Sequence, residues 1–261
     1  MSSKVQIKGL WVPIVTPFFR GQLDEESLAA LVREIESNVD GFVPCLSSGE
    51  GGKMTSELWE RVVTIVVHST SKPVAAGILN VSREKIGEFS EKAKMLGCVT
   101  VAIPLQGEDA QAQKSFCKEI SDTSHLPIIL YNTENVHIDT ADALIDIAQY
   151  PNIVSLKDSS QNSEFFQEAL RVKKEGKITL SILQGMENHL LDSAGCDGYL
   201  ISLANVEPKL CKDLLNNPSK ELNDVVMKKW DEFNLASETW YVGIKQALFA
   251  RGKIKSAELI S

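Results

Sequence analysis

The feature that most constrains this chain is a rhythm. Short apolar, β-branched runs recur along it, and a helix-like amphipathic stretch follows each one. Eight runs stand out: WVPIVTPF, GFVPCLSS, KPVAAGIL, VTVAIPL, PIILYN, IVSLKDSS, ITLSILQG and GYLISLAN. The stretches that follow them run from DEESLAALVREIESN to ENHLLDSAGC and VEPKLCKDLLN. Several open on Asp, Ser or Thr where an N-cap sits, and several stop at Gly or before Pro. Run starts lie roughly 20 to 30 residues apart, the repeat length of a βα unit. Eight units in about 215 residues fit a closed barrel better than a doubly wound sheet, and no GxGxxG follows the first run. The expected fold class is α/β, a (β/α)8 TIM barrel over residues 1–216. A short C-terminal helical appendage follows over residues 217–261, built from SKELNDVVMKKWDEFN and ASETWYVGIKQALFARGK.

A hydrophobic share of 43% in 261 residues supplies a core large enough for a single barrel. The net charge of −8 argues against a phosphate-backbone ligand, so no nucleic-acid partner is expected. The Lys-rich spots RVKKEG and RGKIKS fit solvated helix C-termini, where the macrodipole favours cations. No apolar stretch approaches the ~20 residues of a membrane span, and none at the N-terminus suits a signal peptide. Five cysteines (Cys45, Cys98, Cys117, Cys196, Cys211) form no CxxC and no regular framework, which suits core positions in a reducing compartment. The expected setting is the cytoplasm. The four histidines lack metal-ligand spacing, so neither a metal nor a cofactor is expected.

In such a barrel, function belongs where the βα loops gather, at the C-terminal ends of the strands. That rule selects Thr16 and Pro17, Ser47 to Glu50, Gln106, Tyr131 and Asn132, Lys157, Gly185, and Leu200 to Asn205. Lys157 ends a run that looks made for a core. A lysine held away from water is pressed toward its neutral amine, which attacks carbonyls, and the imine formed acts as an electron sink. The plainer alternative is a lysine that snorkels outward or pairs with Asp158. Tyr131 ends the preceding run and could lie on the same rim, where a phenol can shuttle the protons that imine chemistry requires. Taken singly, it is an ordinary packed aromatic. LSSGEGG supplies two hydroxyls and a glycine-rich turn able to hold a carboxylate, or else simply to cap the next helix.

Taken in order, VPIVTPF, SSGE, YN, NIVSLKDSS, LQGMEN and LANVEP resemble the dihydrodipicolinate synthase / N-acetylneuraminate lyase family of class I, Schiff-base-forming aldolases, with a weaker echo in GIKQALFARG. The resemblance implies that Lys157 forms an imine with pyruvate or a related 2-oxo acid and that Tyr131 is the acid/base. Ser47 and Ser48 stand where the family carries its two hydroxyl residues and would bind the substrate carboxylate. Gly185 and Leu200 match positions that line the keto acid. An aldehyde is the second reactant, and a homo-oligomer, dimer or tetramer, is implied.

The sequence departs from its relatives at three places. Leu105 and Gln106 stand where relatives commonly carry a tyrosine of the proton relay, and an amide cannot shuttle a proton as a phenol does. Val136 stands where dihydrodipicolinate synthases carry an arginine that clamps the second substrate's carboxylate, and an apolar side chain supplies no such clamp. LSSGE replaces GTTGE, keeping the hydroxyls while losing methyls that fix their rotamers. The expected function is a Schiff-base lyase, aldolase or synthase acting on a pyruvate-like 2-oxo acid and an aldehyde. A member that binds a 2-oxo or amino acid without turnover is the alternative, and a barrel carrying an unrelated lysine is the blandest.

Overall fold

The computed structural model describes residues 6–260. Ten strands form among these residues: β1 (Gly9–Val12), β2 (Phe18–Phe19), β3 (Gln22–Leu23), β4 (Gly41–Phe42), β5 (Ala75–Gly77), β6 (Thr100–Pro104), β7 (Ile128–Asn132), β8 (Ile153–Asp158), β9 (Ser181–Gln184) and β10 (Gly198–Leu200). Eight build one parallel sheet in the order β4-β1-β10-β9-β8-β7-β6-β5, while β2 and β3 make a small hairpin after β1. A parallel bridge from Phe42 to Val74, with the Phe42 N–H on Pro73 O at 3.1 Å and Gly77 N–H on Pro44 O at 2.9 Å, joins the two outer strands. The eight strands therefore close into a barrel, as the rhythm of the sequence predicts.

Nine helices cover it among the described residues: α1 (Glu25–Ile35), α2 (Ser56–Ser69), α3 (Arg83–Met95), α4 (Ala110–Thr123), α5 (Ala141–Ile147), α6 (Ser163–Lys174), α7 (Pro208–Asn216), α8 (Lys220–Glu232) and α9 (Trp240–Ala250). Their starts follow local chemistry. The side chains of Asp24, Thr55, Asp109, Thr140, Asn162 and Ser219 each accept a backbone N–H three residues on, satisfying one of the donors that a helix start leaves free. None of these helices is long and apolar enough to cross a membrane.

ENHLLDSAGC departs from its expected helix. It forms two 3-10 turns, Glu187–His189 and Leu191–Ser193. Two side chains account for it: the Ser193 hydroxyl donates to Leu190 O at 2.8 Å, and the Glu187 carboxylate turns inward to accept the Leu203 N–H at 2.9 Å.

Strand alternation divides the core. On β7, Ile128 and Leu130 pack outward under the helices, while Ile129 and Tyr131 pack inward with Trp11, Leu183 and Leu200. On β8 the register shifts. Ile128 pairs with Ile153, but Ile129 pairs with Ser155, so Val154 is an extra residue on the β8 side. From that point Tyr131 lies in register with Lys157. Without the shift, Tyr131 would face Leu156, and the lysine would sit one position further along.

Candidate active site

Lys157 stands at the C-terminal end of β8, 5% exposed, with its Nζ 3.9 Å from the centre of the Tyr131 ring. The ring face supports the ammonium or amine from one side. Gly185, just after β9, packs close against the lysine stem. A Cβ there would lie 2.2 Å from Ser159 Oγ and 2.7 Å from Lys157 Cε, so only glycine leaves room for the lysine stem. The Gly185 N–H donates to Asp158 O at 2.8 Å and fixes this close approach.

The serine turn lines, with Lys157, a cavity of about 330 Å3. It forms a 3-10 turn over Ser47–Gly49, with Cys45 and Glu50 both at φ 60°, a left-handed conformation unusual for side chains other than glycine. Its glycines permit contact at main-chain distance: a Cβ on Gly51 would lie 1.7 Å from Cys45 O. Thr16 pins the turn to the end of β1 by donating to Gly49 O at 2.8 Å. Ser48 Oγ lies 2.6 Å from Ser202 Oγ, and the Trp240 indole N–H reaches both, at 3.2 and 3.0 Å.

Five of the six residues singled out from sequence, Lys157, Tyr131, Ser47, Ser48 and Gly185, line this one cavity. Leu200 does not. It is fully buried in the barrel's interior, in the same cluster as Tyr131 and Leu183. Gln106 and Val136 face a neighbouring groove of about 490 Å3, where Gln106 accepts from Arg83 Nε at 3.2 Å.

The strand-end rule took in Ser202, within Leu200 to Asn205, without giving it a role; Ser159, Glu187 and Trp240 it missed. Ser159 Oγ is buried without a hydrogen-bond partner and lines the cavity. Glu187 is buried, and its burial pushes the carboxyl up, against a downward pull from the Leu203 N–H and from Lys157. Asp158 is likewise raised by burial, opposed by hydrogen bonds from Asn132 and Ser160. Trp240 gave no signal, because nothing local ties it to Ser48.

A second polar pair anchors the helix that carries Trp240. Lys245 and Glu50 form an ion pair with both side chains fully buried. Lys245 also donates to Glu258 O at 2.8 Å, and Glu50 accepts the Ile260 N–H at 2.9 Å. Burial lowers the Lys245 pKa, opposed by the bond to Glu50. The cysteines offer no competing nucleophile. Burial holds the Cys98 and Cys117 thiols up at about 12 and drives Cys45 and Cys211 well above the usual range.

A closed parallel barrel with a buried lysine, a tyrosine and a hydroxyl turn around one rim cavity defines a barrel enzyme of the aldolase and synthase class. Residues 6–259 match the model of the Dihydrodipicolinate synthetase family. The chain belongs to that family. It is 30% identical to the 4-hydroxy-tetrahydrodipicolinate synthase of Thermodesulfovibrio yellowstonii, over 95% of this chain and 89% of the relative. The solved dihydrodipicolinate synthase of Thermotoga maritima superposes with a TM-score of 0.86 at 25% identity, covering 98% of this chain and 92% of that one. A family member encoded by an Escherichia coli K12 prophage, solved in complex with pyruvate, shares the fold with a TM-score of 0.88 at 20% identity, over 98% and 92% of the two chains.

Proposed function

We propose that this protein is a Schiff-base aldolase or synthase in which Lys157 forms an imine with pyruvate or a related 2-oxo acid. The observation that carries the reading is the burial of Lys157 against the Tyr131 ring, in a cavity that the Ser47–Ser48 turn also lines. Family membership supports it, and so does the pyruvate bound to the prophage relative.

In this reading the neutral Nζ attacks C2 of the 2-oxo acid. The carbonyl oxygen takes up protons and leaves as water, giving a protonated imine. Loss of a proton from C3 gives the enamine, whose C3 forms a bond to the aldehyde carbonyl carbon while the aldehyde oxygen takes a proton. Water then hydrolyses the imine and frees Lys157; the cleavage direction runs the same steps backwards. Tyr131 is the group near the amine able to give and take these protons. Ser47, Ser48 and the turn's backbone N–H groups hold the substrate carboxylate without bringing a second amine near the carbonyl.

The division into a catalytic barrel over 1–216 and an extension over 217–261 belongs to the same reading, as do a cytoplasmic setting and assembly into a dimer or tetramer. Sedimentation of the purified protein tests the assembly. No observation favours the non-catalytic alternative. Incubation with pyruvate and borohydride, followed by peptide mass spectrometry, tests the chemistry: one reduced pyruvyl group on Lys157 is expected, with none on the Lys157→Ala variant. An unmodified Lys157, under conditions that label a known lysine aldolase, sinks the proposal.

A further inference from the structure

We propose that the second reactant at this site is a short, uncharged, hydroxyl-bearing aldehyde, and that Glu134 and Glu238 exclude aldehydes carrying a carboxylate or phosphate. The inference rests on the imine reading above and concerns the half of the cavity that the 2-oxo acid leaves open.

Charge is the first ground. Among the described residues Lys157 is the only Lys, Arg or His that lines the cavity. Its nitrogen is consumed in the imine, and the iminium charge is matched by the 2-oxo acid's own carboxylate. A second anion finds no cation there. It meets two carboxylates instead, Glu134 from the loop after β7 and Glu238 from the loop between α8 and α9. Both side chains are exposed, and among the described residues neither has an ion-pair partner. Val136 opens on the neighbouring groove and adds nothing to this wall.

The rest of the wall is the second ground. Trp230, Met186 and Leu235 present apolar surface, while Thr133, Asn135 and Gln161 present hydroxyl and amide groups. Apolar faces with a few convergent polar groups suit a neutral molecule whose carbon skeleton packs and whose hydroxyls exchange hydrogen bonds. The Ser159 hydroxyl, buried without a partner beside Lys157, is a polar atom that a ligand hydroxyl or carbonyl oxygen would satisfy. A volume of about 330 Å3 lies at the low end for small-molecule sites, so a pyruvate unit leaves space for a short chain only.

The test compares kcat/KM for condensation of pyruvate with glyceraldehyde, glyceraldehyde 3-phosphate, succinic semialdehyde and 3-aminopropanal at low ionic strength, alongside borohydride trapping of pyruvate. Glyceraldehyde is expected to exceed both anionic aldehydes by about tenfold or more, and the Glu134→Gln/Glu238→Gln double variant to raise the anionic aldehydes about fivefold. Three results would overturn the inference while leaving the imine reading intact. They are better use of an anionic or cationic aldehyde, an unmoved anionic rate in the double variant, or condensation of none of these aldehydes by an enzyme that traps pyruvate. Absence of trapping removes both.

Discussion

A hydrogen count defines what Trp240 adds. An indole N–H only donates, so Ser48 and Ser202 both act as acceptors toward it. The two hydroxyls carry one hydrogen each, and one of these is spent on the 2.6 Å contact between them. One O–H of the pair therefore remains, the one that meets the carboxylate in the function proposed above. Trp240→Phe keeps the ring and loses the donor, which frees the pair to rotate. The expected outcome is an apparent pyruvate affinity weaker by about three- to tenfold, the usual range for one hydrogen bond. It is read from the concentration dependence of trapping, with thermal stability checked in parallel. Unchanged affinity would show that Trp240 only packs. At this scale the sequence was partly legible. Lys157, Tyr131, Ser47 and Ser48 are residue types whose chemistry is conspicuous at strand ends, whereas Trp240 belongs to a distant helix and looks like any core aromatic.

At the scale of elements, the buried Glu50–Lys245 pair ties α9 to the serine turn, since Glu50 directly follows that turn. Removing one partner leaves the other charge buried and unpaired. Lys245→Met is therefore expected to cost about 3–5 kcal/mol, measured by urea unfolding. Adding Glu50→Gln to that variant should recover a large part of the loss. A single variant as stable as the parent would mean that the pair is hydrated in solution. The helices themselves were readable because caps and amphipathic periods are local signals. ENHLLDSAGC was misread because its turn is set by Glu187 reaching Leu203, a partner beyond any local window.

For the molecule as a whole, the barrel's interior charges set a pH dependence. Burial raises the Glu187 carboxyl above its ordinary value of 4.5, so just above that pH the folded chain still holds a proton that the unfolded chain has released. The contribution of Glu187 to stability thus falls as pH rises from 4.5 to its folded pKa, and stays low beyond. Glu187→Gln keeps an acceptor for the Leu203 N–H and removes the titration. The variant is expected to gain on the parent across that window and hold the gain at neutral pH, as measured by urea unfolding at a series of pH values. A difference independent of pH would show that Glu187 does not titrate on unfolding.

The sequence by itself determined the barrel, the rim where its strand ends gather, and the lysine, tyrosine and serines that line one cavity there. Each of these follows from short-range periodicity or from the chemistry of single residue types. Tertiary structure alone decided three further things. The extra residue at Val154 brings Lys157 opposite Tyr131. The last helix supplies Trp240 to the serine pair and Lys245 to Glu50. The cavity wall gathers two carboxylates, Glu134 and Glu238, from loops about a hundred residues apart. The physical reason is common to all three. Register, helix docking and the convergence of charges are relations between segments far apart in the chain, and they come into being only when the barrel closes and brings those segments together.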